Sequence, residues 1–187
     1  ASAAGQLEEA EAALDAAAQA NPALYAAHLN LGLVRLALDK PDLAAAAFRR
    51  AAELQPDDFA TQYNLGLALA RDGKYDDAIA AYQAALKVKP VDPRALSNMA
   101  AAYLALDKVD EAIVILDKAL HAAPAFAPAR QNLALAYTRN GETDKAIAQW
   151  KKMAAVAPND PVPQLALADY YFKLGDDASA EQHYLEL

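Results

Sequence analysis

The sequence predicts an all-α protein, a solenoid of stacked helix pairs. Three observations carry this. Pro22, Pro56, Pro90, Pro124 and Pro158 recur every 34 residues, and a fixed period of that length marks a stacked repeat and not a single globular core. Small residues recur in phase with the prolines, as helices that approach closely require. Alanine, the strongest helix former, makes up roughly a quarter of the chain, and strand formers are sparse outside apolar helical positions.

Taken in order, the units begin at Tyr25, Phe59, Pro93, Ala127 and Pro161. Residues 1–24 hold only the second helix of a shortened unit, expected from about Gln6 to Ala20. Full units follow over 25–58, 59–92, 93–126 and 127–160, and a shortened unit occupies 161–187, all within one domain spanning 1–187. Within a unit, apolar spacing at three and four predicts a first helix over positions 1–14 and a second over 17–30. Position 15 marks the turn between them with Gly5, Gly73, Gly141 and Gly175. Glycine there suits a left-handed cap; Asp39 and Asp107 hold that place in two units and tolerate the conformation less well. The periodic proline at position 32 ends the second helix, because the residue before proline is pushed out of helical geometry. The expected total is eleven helices and no strand.

The packing pattern is equally periodic. Position 20 is alanine throughout: Ala10, Ala44, Ala78, Ala112, Ala146 and Ala180. Position 8 is small: Gly32, Gly66, Ala100, Ala134 and Ala168. Position 24 is large: Leu14, Phe48, Tyr82, Leu116, Trp150 and Tyr184, sized to fill the space left beside the small residues.

These residues resemble the tetratricopeptide repeat. The stretch from Tyr63-Asn64-Leu65-Gly66 through Gly73-Lys74-Tyr75-Asp76-Asp77-Ala78 to Pro90 is very near that family's pattern. The resemblance covers nearly the whole chain and implies antiparallel helix pairs stacked into a right-handed superhelical solenoid with a concave groove. His28, Gln62, Leu96, Arg130 and Gln164 stand where the family often has Trp, and Arg35 where it often has Tyr. The alanine-rich composition points to a GC-rich bacterial genome.

Composition narrows the function. The net charge is −8 and no cysteine is present. An acidic chain argues against nucleic acid, whose phosphates need clustered cations, and thiolate chemistry is excluded. No apolar run is long enough to span a bilayer, and Ala1-Ser2-Ala3-Ala4 lacks the charged and apolar regions of a signal peptide. Cytoplasm and bacterial periplasm both fit. His28, His121 and His183 lie in three different units, and neither a zinc motif nor a phosphate loop occurs. The pairs Asp57-Asp58, Asp76-Asp77 and Asp176-Asp177 sit at predicted helix starts, where carboxylates cap or complement the dipole. The expectation is a non-enzymatic chain with no metal and no cofactor.

One constellation points to binding. Position 6 reads Asn30, Asn64, Asn98, Asn132 and then Ala166. The family resemblance places position 6 toward the groove, and an asparagine amide both donates and accepts. Such a ladder can clamp the backbone of an extended peptide without reading its side chains. It is similar to the asparagine ladder in the repeat domain of O-linked N-acetylglucosamine transferases; local hydrogen bonding is the competing role. Around it, Leu29, Leu33, Leu36, Tyr63, Leu67, Arg71, Arg94, Ser97, Leu104, Gln131, Leu135, Thr138, Arg139, Leu165, Asp169, Phe172 and Lys173 offer an apolar groove with scattered basic groups. The clamp of chaperone-binding members needs Lys at position 5 and Asn at position 9, and is not matched. The leading expectation is a protein–protein interaction scaffold that binds an extended peptide or partner helix and assists complex assembly. A substrate-recruiting domain of a larger enzyme such as a glycosyltransferase, and a self-assembling scaffold joined through Leu7, Leu14, Tyr184, Leu185 and Leu187, are the alternatives.

Overall fold

The computed structural model describes residues 3–186, so Leu187, named above with the C-terminal apolar residues, and Ala1 and Ser2 of the N-terminal tetrapeptide lie outside the described residues. Eleven α-helices and, among the described residues, no strand make up the chain. α1 (Ala3–Ala20) stands alone; the pairs are α2 (Tyr25–Ala37) with α3 (Pro41–Leu54), α4 (Phe59–Arg71) with α5 (Tyr75–Val88), α6 (Pro93–Ala105) with α7 (Val109–Ala122), α8 (Ala127–Arg139) with α9 (Thr143–Val156), and α10 (Pro161–Lys173) with α11 (Asp177–Leu185).

The turn at position 15 has the same chemistry in all five units. Gly73, Gly141 and Gly175 take φ of 76°, 75° and 77°, and Asp39 and Asp107 are held at 56° and 59°. The N–H of the following residue then reaches five residues back: Lys40 to the Arg35 carbonyl at 2.8 Å, Lys74 to Leu69 at 2.9 Å, Lys108 to Tyr103 at 2.9 Å, Glu142 to Tyr137 at 2.9 Å and Asp176 to Tyr171 at 2.9 Å. This is a Schellman closure, which satisfies carbonyls that the helix end would otherwise orphan. Gly5 departs from the expected pattern. It lies inside α1, which begins at Ala3 and not near Gln6. Ala3 and Ala4 extend the helix, and one interior glycine costs it only about 1 kcal/mol.

The other helix ends divide the carboxylate pairs. Asp58, Asp92, Asp160 and Asp176 are true N-caps, with side chains accepting from Thr61 N at 2.7 Å, Ala95 N at 3.1 Å, Val162 N at 3.0 Å and Ser179 N at 3.1 Å. Asp57 is exposed outside the helix. Asp76 and Asp77 sit in the first turn of α5, whose N-cap Lys74 makes no capping bond; there they complement the helix dipole and pair with Lys108 at 3.3 Å and Arg49 at 3.0 Å. Before each later proline the chain is extended, as at Gln55 (φ −138°, ψ 83°) and Ala123 (φ −140°, ψ 83°).

The core is built from the in-phase positions. Ala44, Ala78, Ala112, Ala146 and Ala180 are all buried, as are Phe48, Tyr82, Leu116 and Trp150. A Cβ added to Gly32 would lie 2.5 Å from the Phe48 ring, and one added to Gly66 would lie 2.6 Å from the Tyr82 ring. The glycines are therefore the space into which the two aromatic rings fit. Where position 8 is Ala100, the facing residue is the smaller Leu116, likewise buried.

Curvature follows from which helices touch. The backbones of first helices α2 and α4, α4 and α6, and α6 and α8 approach closely, whereas those of the second helices do not, and α3 meets α5 through the Arg49–Asp77 ion pair. The first helices therefore line the inner side of the stack. The α10 backbone packs closest on α9 and reaches α8 through side chains, as Tyr170 does Thr138, and a separate core cluster of Ala134, Ile147, Trp150, Met153 and Leu167 serves that end.

Candidate peptide-binding face

The inner face is built from five first helices, and its residues fall into three groups. The asparagines divide. The Asn98 side-chain amide donates to the Tyr63 hydroxyl at 3.0 Å. The Asn132 amide donates to the Ser97 hydroxyl at 3.2 Å and to its carbonyl at 3.4 Å. In both, position 6 of one unit reaches position 5 of the unit before. In the same register Asn64 follows Leu29, which has no polar side-chain atom, and Asn30 belongs to the first full unit. Among the described residues the side chains of Asn30 and Asn64 make no hydrogen bond; Asn30 is exposed and Asn64 half-buried. Two asparagines of the ladder thus serve as inter-unit tethers, and two keep their donors and acceptor open. The tethers leave Oδ1 of Asn98 and Asn132 unengaged.

The cations form the second group. Arg71 Nη1 donates to the Leu36 carbonyl at 3.4 Å, and Arg139 Nη1 to the Leu104 carbonyl at 2.5 Å. Both stand at position 13 and lean on the end of the preceding first helix, where the dipole favours positive charge. Arg94 forks onto Asp92, with Nη2 at 3.0 Å and Nε at 3.3 Å, and lies 5.5 Å from the Tyr63 ring centroid. Phe59 and Tyr63 stack at 5.7 Å, and the Lys89 ammonium sits 4.5 Å over Phe59. Burial pushes the Asp92 carboxyl up, but the Arg94 and main-chain donors outweigh it and hold the group below its ordinary value. Burial raises the Tyr63 phenol. Lys173, also at position 13, is exposed and makes no ion pair among the described residues.

The third group is apolar. Leu33, Leu135, Leu165 and Phe172 are exposed on this face, and so is Val162 at position 2. Val162 was not anticipated; its position 2 register was the signal. Leu29, Leu36, Tyr63 and Leu67 are half-buried against the core. Ser97 and Leu104, expected to face a ligand, are buried between units and are not offered to a partner. Gln131 is exposed with no side-chain bond among the described residues. Thr138 bonds the Ala134 carbonyl and the Tyr170 hydroxyl, and the Tyr184 hydroxyl donates to Asp169 at 3.0 Å.

Position 4, where the family often has Trp, has its own use here. His28 Nε2 lies 3.1 Å from the Pro22 carbonyl, Gln62 donates to the Pro56 carbonyl at 3.0 Å, and Arg130 donates to the Pro124 carbonyl. These three reach back six residues and satisfy the carbonyl of the periodic proline, whereas the buried Gln164 meets His183 at 2.7 Å. At the N-terminal end Arg35 meets Glu11 at 3.1 Å and Asp15 at 3.2 Å, and Lys40 meets Glu11 at 2.6 Å. An arginine at position 11 therefore docks α1 by charge where a tyrosine would dock it by area.

A family model described as a tetratricopeptide repeat matches residues 1–59 and 63–128, and a second of the same description matches 107–161. The chain belongs to the tetratricopeptide repeat family. No curated protein matches it in sequence. Among solved structures, a tetratricopeptide repeat protein from Parabacteroides merdae is 25% identical, with 96% of this chain and 71% of that chain covered at a TM-score of 0.82. MamA, residues 41 to the end, from Desulfovibrio magneticus RS-1 is 25% identical, with 87% and 92% covered at 0.79. PilW, described as a type IV pilus biogenesis factor, is 24% identical, with 98% and 86% covered at 0.83, a likeness of fold. This tetratricopeptide repeat chain is a protein-interaction scaffold. No described helix is long and apolar enough to cross a membrane.

Proposed function

We propose that the chain acts without chemistry of its own, holding an extended peptide along the first-helix face and so assisting assembly of a complex. One observation carries the reading: the first helices bear large apolar side chains open to solvent, and α2 and α4 bear uncommitted amides. Leu33 is 42% exposed, Leu135 43%, Leu165 48% and Phe172 63%, and the amides of Asn30 and Asn64 have no internal partner among the described residues. Contiguous exposed apolar surface rimmed by polar groups marks an interaction site. Asn30 and Asn64 clamp the peptide backbone, the leucines take its apolar side chains, and Tyr63, Leu67 and Gln131 complete the floor between them.

Site-specific photo-crosslinking tests this. A photoreactive residue at Leu33 or Phe172 is expected to capture a partner in cells, and one at Val114, exposed on second helix α7, is not. Capture at Val114 alone overturns the reading. Asn30→Ala with Asn64→Ala is expected to reduce capture without loss of helicity.

A second reading rests on the last helix. Tyr184 and Leu185 are exposed there, Leu185 at 81%, around a shallow depression shared with Phe172 and Ala180. Docking of this surface on another copy makes a heterologous contact that can propagate. Sedimentation that stays monomeric at high concentration, for the parent as for Leu185→Glu, removes that reading.

A further inference from the structure

We infer that the segment taken by the first-helix face is acidic as well as apolar; this rests on the groove reading above and adds the partner's charge. The chain carries 25 carboxylates against 17 Lys and Arg, yet the charges are not mixed evenly. The five first helices hold Arg35, Arg71, Arg94, Arg130, Arg139 and Lys173 against a single carboxylate, Asp169. The acidic excess lies on α1, the second helices and the turns.

Two of those cations are occupied elsewhere. Arg35 is neutralised by Glu11 and Asp15, and Arg130 is turned to Gln149 and the Pro124 carbonyl. Arg94 is shared with Asp92. The remaining three, Arg71, Arg139 and Lys173, all stand at position 13, at the C-terminal ends of α4, α8 and α10. None has a carboxylate partner. Arg71 and Arg139 each spend one nitrogen on a neutral main-chain carbonyl, so their charge is not cancelled and most of their five N–H donors stay free. The turn carboxylates that follow Arg71 and Arg139 are paired, Asp72 to Lys74 at 2.7 Å and Glu142 to Lys145, and of those that follow Lys173, Asp176 caps α11. Asp169 itself accepts the Tyr184 hydroxyl.

One edge of the apolar face is therefore a row of three cations without ion-pair partners among the described residues, with Asp169 the one carboxylate on the same helices. Guanidinium groups take carboxylates through paired hydrogen bonds, and a local positive potential steers an acidic segment to this face, while α1 and most of the remaining surface, α9 with its three lysines apart, are acidic. Asn30 and Asn64 then hold the backbone mid-helix, apolar side chains of the partner meet Leu33, Leu135 and Leu165, and its carboxylates lie toward position 13.

The test is selection from an unbiased random-peptide library on the immobilised full chain, followed by fluorescence polarisation of the enriched peptides. Enrichment of Glu or Asp together with Leu-like residues is expected. Affinity is expected to fall about tenfold for Arg71→Gln with Arg139→Gln and Lys173→Gln, and to fall with added salt. Lys173→Gln alone, which breaks no internal bond, is expected to weaken binding severalfold and controls for any unfolding of the triple variant. Neutral or basic peptides, or affinity indifferent to salt and to Lys173→Gln, overturn the acidic assignment. If those peptides still lose affinity in Asn30→Ala with Asn64→Ala, the groove reading survives alone; if they do not, it falls too.

Discussion

The side-chain amide of Asn98 donates to the hydroxyl of Tyr63 at 3.0 Å, across the boundary between two units. One unit later the relationship repeats, with Asn132 reaching Ser97 at 3.2 Å. It fails where the acceptor is missing: Asn64 follows Leu29, and beyond Gln131 the donor place is held by Ala166. An in-phase row of identical residues thus has two roles, decided by the residue one unit back and one position over.

Tyr63→Phe and Asn98→Ala are each expected to lower stability by about 0.5–1.5 kcal/mol, the net value of one hydrogen bond, and the double variant by less than the two together. Asn64→Ala, which removes no internal bond, is expected within about 0.5 kcal/mol of the parent. Urea unfolding followed by circular dichroism measures all four. Equal losses at Asn64 and Asn98 would mean that the tether carries no energy.

Gly66→Ala is expected to cost about 1–3 kcal/mol, because the new Cβ meets the buried Tyr82 ring at 2.6 Å and the ring must shift within a packed core. Gly66→Ala combined with Tyr82→Leu reproduces the pairing that Ala100 and Leu116 already use, and is expected to recover part of that loss. Thermal melts of the two variants against the parent decide it; a double variant less stable than Gly66→Ala alone would sink the size-matching account.

Asp107→Gly is expected to raise stability by up to about 1 kcal/mol. The residue is held at φ 59°, a conformation costly for any side chain, and the gain exceeds the added freedom of glycine in the unfolded chain. Gly73→Ala, at the equivalent place with φ 76° and nothing within 4 Å of its Cβ, is expected to destabilise by about 1 kcal/mol through backbone strain alone. Denaturant midpoints of the pair moving in the same direction would contradict this.

Acid is expected to loosen the docking of α1. The bond from Lys40, with Arg35 adding to it against a smaller opposing effect of burial, holds the Glu11 carboxyl below its ordinary value of 4.5. Asp58 is also held low: burial pushes it up, and the Thr61 main-chain and hydroxyl donors with the Tyr25 hydroxyl outweigh that. A folded carboxyl that binds its proton less readily than the unfolded one contributes its full stability above the ordinary value, and loses it as pH falls through the depressed one. Stability is thus expected to be level at neutral pH and to decline below about pH 4.5, the ordinary value for Glu11. Glu11→Gln is expected to lower the plateau and flatten the decline, as read from melting temperature against pH.

The buried indole of Trp150 is the one tryptophan of the chain, and it belongs to the separate core cluster of the last two units. Solenoids unfold by nearest-neighbour steps and not as one block. Its fluorescence is therefore expected to report an unfolding transition at lower denaturant than far-ultraviolet dichroism, which averages all units. Coincident transitions would show that the two clusters act as one.

The helices, their ends and their pairing were legible in the sequence alone. Each rests on local chemistry that period exposes: glycine or aspartate at position 15, proline at position 32, and small against large at positions 8 and 24. Gly5 was misread because α1 runs through it from Ala3, so no turn forms there. The binding face was legible only as a list of candidates. Whether an asparagine is open depends on the acceptor 35 residues earlier (Tyr63 for Asn98, Ser97 for Asn132), and whether a cation is free depends on carboxylates of other helices, as Arg35 with α1 shows. Period determined which residues share a face; only the stacking of one unit on the next decided which of them are used up within the chain, because hydrogen bonds and charges are satisfied by neighbours in space and not in sequence.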